Sequence, residues 1–181
     1  MDNLEMESNP NDYTQSSLRE SLIEHLFVGE ILKNLWLSKR TEVEVLKPQV
    51  DNSGYDLAIE CRSGCEDGRS ILRHIQLKAS HTGAKRAKVN VSLKLTQKPN
   101  WCVIWIFFDP ANLKLGPFLW FGTEPGKPPH DISTLKFTKH TKGDSMGLKK
   151  ERPGFREVSK SKFTPLDSIG DVIKLLFSGA E

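Results

Sequence analysis

Residues 54–61, GYDLAIEC, and residues 71–80, ILRHIQLKAS, are the stretch that decides the fold. Both runs are rich in β-branched and apolar residues, and the polar segment between them contains two glycines, so the pattern predicts a β-hairpin. A symmetric hairpin places Asp56 directly opposite Gln76, close enough for the two side chains to share a ligand. Because side chains alternate along a strand, Gln76 and Lys78 share a face. The hairpin therefore predicts a carboxylate, an amide and an ammonium group on one patch of sheet.

The same patch also has a plain structural interpretation. Asp56 and Lys78 could form a partly exposed ion pair, which would stabilise the fold by about 0–1 kcal/mol and carry no function. A functional interpretation gains support only if a further carboxylate lies near the patch.

An amphipathic helix is predicted over residues 17–37, where apolar side chains recur at helical spacing. At about 100° per residue, Glu30 falls within the apolar stripe, whereas Glu20 and Glu24 fall well away from it. A carboxylate in a buried stripe is costly unless it is paired, hydrogen-bonded or bound to a metal, so Glu30 is a candidate site residue. Gly29 beside it lets another element approach the backbone closely. The alternative is that Glu30 reaches solvent at the edge of the stripe.

The chain of 181 residues, 37% of them hydrophobic, has the size and composition of one domain. We expect residues 1–15 to be disordered at least in part and residues 16–181 to form a single domain. Within that domain, residues 130–162 are polar and rich in lysine, which predicts an irregular or mobile excursion with a short strand near residues 135–138. The other predicted elements are strands at 42–46, 101–108 and 117–122 and a closing helix at 165–177.

The net charge of +3 conceals an asymmetry along the chain. Residues 1–60 hold 5 Lys and Arg against 12 Asp and Glu, whereas residues 61–181 hold 21 against 11. A basic C-terminal two-thirds suits a phosphate backbone, although solvated lysines would give the same count. Lys85, Arg86 and Lys88 follow the hairpin and are candidates for phosphate contacts, which need only positive charge within reach.

The expected location is the cytoplasm. The acidic N-terminus lacks the basic start and apolar core of a secretory signal, and the longest apolar run is too short to span a bilayer, so no membrane association is expected. Three cysteines, an odd number, argue against a disulfide framework and fit a reducing compartment. Cys61, Cys65 and His74 match no trusted zinc-site spacing.

The order of elements and two short motifs resemble a known family. The motifs are GYD at residues 54–56 and QLK at residues 76–78, preceded by the helix that carries Glu30. Together they resemble the PD-(D/E)xK nuclease superfamily, and within it the branch with a Gln-x-Lys motif. The resemblance covers roughly residues 16–122 and implies an α/β, restriction-endonuclease-like core, in which a central mixed β-sheet is flanked by helices.

The resemblance implies metal-dependent hydrolysis of phosphodiester bonds in DNA. The metal ligands that it implies are Glu30, Asp56, Gln76 and the backbone carbonyl of Leu77, and Lys78 joins the three side chains as a catalytic residue. Mg²⁺, or Mn²⁺ in its place, prefers hard oxygen ligands. Such an ion polarises a phosphoryl oxygen and lowers the pKa of a bound water, while the lysine orients that water or stabilises the developing charge. The expected nucleic-acid contacts are Ser80, Lys85, Arg86 and Lys88.

Gln76 departs from the motif that names the superfamily, where Asp or Glu is usual. An amide oxygen can bind a metal but carries no negative charge, so weaker metal affinity is expected. The alternative function is a catalytically inactive nucleic-acid-binding or assembly module of the same fold. A protein-interaction domain that binds no nucleic acid is a third possibility. Nucleases of this fold often act as dimers or within defence, repair or mobile-element systems, so a homodimer or a larger nuclease complex is expected, with DNA as the partner and RNA left open.

Overall fold

The computed structural model describes residues 16–40, 42–50, 52–62, 69–140 and 147–177. The prediction of disorder for the first fifteen residues falls outside this part of the chain. In chain order the elements are helix α1 (Ser16–Leu37), strands β1 (Val43–Leu46), β2 (Leu57–Arg62), β3 (Ser70–His81), β4 (Lys88–Ser92), β5 (Trp101–Phe108), β6 (Leu115–Gly122), β7 (Phe137–Lys139), β8 (Glu151–Ser159) and β9 (Thr164–Leu166), and helix α2 (Ile169–Phe177).

A six-stranded mixed sheet forms the centre of the molecule, which confirms the predicted α/β class. Its order is β1-β2-β3-β5-β6-β9, and every neighbouring pair is antiparallel except β3 and β5, which run parallel. Parallel neighbours need a long crossover connection, and here that connection carries β4. All eight residues of β5 are buried, as predicted for an apolar strand covered on both faces.

The hairpin of β2 and β3 has the register that its symmetry predicts. Leu57 pairs with Ile75, and the pairing runs to the far end of β2 without a shift. One residue before β2, the Asp56 backbone N–H donates to the Ile75 carbonyl at 2.9 Å, so Asp56 lies opposite Gln76. The turn at residues 63–68 is outside the described part of the chain.

Both helices cover one face of the central sheet. Helix α1 ends at Leu37 as predicted, whereas α2 begins only at Ile169 because β9 precedes it and pairs with β6. Proline is tolerated in β9 because this strand is the edge of the sheet. The helical side chains buried against the sheet are Ile23, Phe27, Ile31 and Leu35 of α1 and Val172, Leu176 and Phe177 of α2. No helix in the described residues is long and apolar enough to cross a membrane.

A second, antiparallel sheet covers the opposite face, in the order β4-β8-β7. Its apolar residues pack with the aromatic side of β5 in a core cluster that includes Val91, Trp105 and Val158. Of residues 130–140 and 147–162, the first range contains β7, close to the predicted short strand, and the second contains the nine-residue β8, which was not predicted. The molecule has three layers: helices, mixed sheet and small antiparallel sheet.

Candidate active site

The candidate site lies where β2 and β3 part. Strand β2 begins at Leu57, whereas β3 continues to His81, so the end of β3 beyond Gln76 pairs only with β5. The Leu77 backbone N–H in this stretch donates to Asp56 Oδ2 at 2.6 Å. A hydrogen bond to a carboxylate is short and strong, so it holds the Asp56 side chain against the edge of β3.

Gly54 brings the segment before Asp56 into close contact with the second sheet. It has φ +76°, and a Cβ there would lie 2.5 Å from Ser92 Oγ and 2.9 Å from the Leu95 nitrogen. Only glycine fits such a position, because its φ is strained for other residues and the space is already filled. The backbone leading to Asp56 is thus fixed between β3 and the end of β4.

Asp56 and Lys78 both line a cleft of about 360 Å³ between the mixed sheet and the first turns of α1. Leu77 lines it as well. The cleft is the open space at the parting of β2 and β3, and it is more polar than apolar. The other ionisable side chains that line it are Glu20 and Glu24 of α1, Lys47 after β1, and Arg86 in the connection to β4.

Glu24 is the most enclosed carboxylate that α1 contributes to the cleft. Its side chain is 18% exposed, and Lys47 Nζ lies 2.5 Å from its Oε1. Glu20, one turn earlier, is exposed at the mouth. The sequence did contain a signal for this pair, because Glu20 and Glu24 are four residues apart and therefore share a helix face. The expectation that both fall well away from the apolar stripe is wrong. Glu20 and Glu24 lie seven residues before buried Phe27 and Ile31, which is about 20° around the helix.

Glu30 is not brought to the cleft. It lines a separate cavity with Lys114 and Asp167, and Lys33 Nζ lies 2.7 Å from its Oε2. Its side chain is 42% exposed, so Glu30 reaches solvent at the edge of the buried stripe rather than lying within it. The physical reason is that the first turns of α1, not its middle, pass over the parting strands.

Gln76 lies opposite Asp56 in the hairpin, but it does not line the cleft. It is 5% exposed, and its Oε1 accepts a hydrogen bond from the Ser92 backbone N–H at 3.4 Å. The second sheet therefore covers the amide that was expected beside the carboxylate. Of the predicted patch, Asp56 and Lys78 line the cleft.

The expected nucleic-acid contacts differ in their surroundings. The Ser80 side chain is buried, and its Oγ accepts from Trp105 Nε1 at 3.0 Å, so the hydroxyl belongs to the aromatic core. Lys88 Nζ donates to Glu157 Oε2 at 2.6 Å. Lys85 and Arg86 are exposed, and Arg86 lines the cleft.

Beside the cleft lies a smaller pocket of about 230 Å³. Arg86 lines both spaces, and Arg19 and His81 line the smaller one. Glu20 lines both spaces as well, so the mouth of the cleft carries acidic and basic side chains.

The donor set of the cleft suits a hard cation. The carboxylates of Asp56, Glu20 and Glu24 line the cleft. Within the described residues, no three His, Cys, Asp or Glu side chains come together as a ready-made metal cluster. Mg²⁺ does not require one, since it commonly keeps several waters and binds through one or two carboxylates together with substrate phosphate.

The two described cysteines offer no competing thiol chemistry. Burial raises the pKa of the Cys102 thiol to about 11, and burial also raises the pKa of Cys61. Both thiols are therefore protonated and unreactive at neutral pH. His74 Nδ1 lies 2.9 Å from the Pro99 carbonyl, as a donor, and Cys65 is outside the described residues.

Comparisons of the chain with models of known protein families, with curated proteins and with solved structures found no match.

Proposed function

We propose that this protein is a metal-dependent nuclease with a restriction-endonuclease-like core that hydrolyses phosphodiester bonds in DNA. The observation that carries the proposal is that Asp56 and Lys78 line the same open polar cleft where two strands part. The Leu77 N–H orients the carboxylate from one side. A structural ion pair would not need a glycine with positive φ packed against Ser92 to position its carboxylate.

Asp56 would hold the divalent cation together with Glu20 or Glu24. Mg²⁺ or Mn²⁺ bound there would polarise a phosphoryl oxygen and make a bound water more acidic. Glu24 is already paired with Lys47, so a cation that uses Glu24 must displace that ammonium group. Glu20 lines the same cleft and is exposed.

Lys78 and Arg86 supply the positive charge that the substrate requires. Lys78 lies on the strand that also carries the N–H bound to Asp56, so its ammonium group can orient a water or stabilise charge that develops on phosphate. Arg86 lines both the cleft and the neighbouring pocket, where a guanidinium can bind a phosphodiester in bidentate fashion.

A second candidate function is a nucleic-acid-binding or assembly module without catalysis. The observation that favours it is Gln76, whose amide is buried against Ser92 and contributes no ligand to the cleft. This module would share the basic surface around Arg86 with the nuclease. It would differ in having no metal-dependent cleavage.

The two functions are separated by cleavage of supercoiled and single-stranded DNA in Mg²⁺, Mn²⁺ and EDTA. The informative variants are Asp56→Asn, which keeps an oxygen to accept from Leu77, and Lys78→Met. The nuclease predicts that each variant lowers the cleavage rate by about 100-fold or more, because each removes a charge that acts on the transition state. Glu30→Gln is the matched control, since this carboxylate lies in another cavity, and it should cut like the parent.

Cleavage that persists in EDTA, or that is equal in Asp56→Asn and the parent, would contradict the nuclease. DNA binding without cleavage in any metal would favour the binding module. A parallel series with RNA substrates tests the choice of nucleic acid.

A further inference from the structure

Helix α1 is apolar on two opposite sides. One side supplies the residues buried against the mixed sheet. The other side faces solvent and carries five large apolar side chains that are 37% to 70% exposed. We call these the outer stripe: Leu18, Leu22, Leu26, Leu32 and Trp36. Single exposed apolar residues are ordinary, but a continuous stripe on a surface helix marks an interaction surface.

Gly29 lies at the centre of the outer stripe. With about 100° of rotation per residue, Leu22 and Trp36 lie about 20° to either side of the Gly29 direction, and Leu26 and Leu32 about 60° to either side. The positions are also symmetric along the chain, since one pair lies seven residues from Gly29 and the other pair three. Four of the five apolar positions are therefore matched about Gly29, whereas the position that mirrors Leu18 lies beyond the end of α1.

We propose that the outer stripe is a homodimer interface in which two α1 helices pack antiparallel across a two-fold axis at Gly29. A two-fold interface uses one surface patch twice, so it requires such self-complementarity. The arrangement packs Leu22 of each copy against Trp36 of the other, and Leu26 against Leu32. A Cβ on Gly29 would find no atom within 4 Å, so the space for a close crossing is open.

Two polar residues lie within the outer stripe, because His25 and Lys33 are each four residues, or about 40° around the helix, from Gly29. The two-fold axis sets Lys33 of one copy opposite His25 of the other. Lys33 is paired with Glu30 of its own helix, and His25 Nδ1 lies 2.6 Å from the Ser21 carbonyl. The flexible Lys33 stem carries its ammonium group out to solvent while it stays paired with Glu30. The antiparallel direction also sets opposite helix-dipole ends side by side.

The area of the stripe meets the lower bound for a specific dimer. A fully exposed aromatic side chain offers roughly 150–250 Å² and leucine somewhat less, so the outer stripe exposes on the order of 500 Å² per protomer. Burial in both copies removes about 1,000 Å², which is the size that a specific interface needs. Contacts around the rim would add to this area.

The dimer is independent of the proposed nuclease activity. Glu20 and Glu24 lie about 140–180° around the helix from Gly29, so packing through the outer stripe leaves the cleft open. A dimer that forms in a chain with no cleavage activity would still establish the interface.

The test is the mass of the full chain in solution, measured by sedimentation or light scattering over a range of concentrations. The parent chain should be a dimer, and Gly29→Arg should be a monomer, because two guanidinium groups would meet on the axis. Arginine has a higher helix propensity than glycine, so circular dichroism and thermal unfolding should show an intact fold. Gly154→Arg is the matched control, since Gly154 also has open space and lies in β8, and it should remain a dimer.

A parent chain that is monomeric at every concentration would overturn the proposal and leave the stripe to a different protein. A dimer that survives Gly29→Arg would overturn it too. A second variant reports the register directly: Gly29→Cys, in a Cys65→Ser background, should form a 29–29 disulfide dimer on mild oxidation. Failure to cross-link while the protein remains dimeric would exclude an axis at Gly29.

Discussion

Gly54 packs the segment before Asp56 against the second sheet. The residue precedes Asp56 by two positions, and its backbone rests on Ser92 at the end of β4. Gln76 of β3 contacts the same residue, because its amide oxygen accepts a hydrogen bond from the Ser92 backbone N–H. The position of the Asp56 carboxylate therefore depends on contacts with the second sheet as well as on the hairpin.

We expect Gly54→Ala to destabilise the protein by about 2–4 kcal/mol, measured by urea unfolding. The cost combines a strained φ with overpacking against Ser92 and the Leu95 backbone. Gly154→Ala, which has no neighbour within 4 Å, should change stability by less than about 1 kcal/mol. The double variant Gly54→Ala with Ser92→Gly should recover part of the loss, because it removes the nearest side-chain atoms. A Gly54→Ala protein as stable as the Gly154 control would contradict this account.

The positions of some site residues can be predicted from the sequence, and those of others cannot. The position of Asp56 opposite Gln76 is predictable because a hairpin has a fixed pairing, and the pairing is observed. The contrary case is Glu30, since helical spacing gives its direction around α1 but not which turn of the helix passes over the cleft. The burial of Ser80 is also beyond the local pattern, because it depends on Trp105 from a parallel neighbour 25 residues later.

At the scale of elements, helix α2 has a well-defined start. Ser168 Oγ accepts from the Asp171 backbone N–H at 3.2 Å and donates to Asp171 Oδ2 at 2.6 Å. This reciprocal arrangement satisfies a backbone donor of the first turn, as a capping box does. The hydroxyl of Ser168, helped by Lys174, lowers the pKa of the Asp171 carboxyl below its ordinary value.

We expect Ser168→Ala to lower the free energy of unfolding by about 1 kcal/mol at neutral pH through loss of the cap. Because the folded pKa of Asp171 is depressed, the ionised carboxylate stabilises the fold above the ordinary aspartate pKa of roughly 3.9, and this stabilisation is lost as pH falls through the folded value. The difference between parent and variant should therefore shrink below about pH 4. Urea unfolding at pH 7 and pH 3 measures it, with Ser168→Thr as a control that keeps a hydroxyl. An effect that grows in acid would contradict the assignment.

Strand β8 was not predicted from the sequence, because its pattern of apolar and polar residues is irregular. A half-buried strand normally alternates apolar and polar residues, but the inward position of β8 before Val158 is Arg156. The buried guanidinium donates to the Ser133 and Pro153 carbonyls and lies 4.0 Å from the Phe137 ring centre. Pro153 belongs to β8 itself, but Ser133 and Phe137 come from other segments, so the local pattern does not show why an arginine is buried here. The apolar strand β5, in contrast, is evident from its composition alone.

At the scale of the whole molecule, the basic side chains differ in whether an acidic side chain of the protein already neutralises them. Lys88 is already paired with Glu157, whereas exposed Arg86 lines the cleft. Lys85 is exposed beside it. Charge that is paired within the protein releases fewer counterions from a nucleic acid than charge that is not.

We expect Lys85→Ala with Arg86→Ala to weaken DNA binding and to reduce the salt slope by about 1–2, measured in EDTA so that no cleavage occurs. Lys88→Ala should change both quantities less, because Glu157 already neutralises that side chain. Fluorescence anisotropy with labelled duplex and single strands at several salt concentrations measures the slopes. Equal effects of the two sets of substitutions would show that the cleft mouth is not the principal DNA contact.

The pairing of β4 with β8 joins distant parts of the chain. Ser92 pairs with Phe155 and Lys88 with Ser159, so the partners stand 63 to 71 positions apart. During synthesis, the segment that bears Asp56 and Lys78 leaves the ribosome well before β8 is made. Ser92, on which Gly54 and Gln76 rest, has no partner strand until then. A translation product truncated before residue 151 is therefore left without a finished cleft.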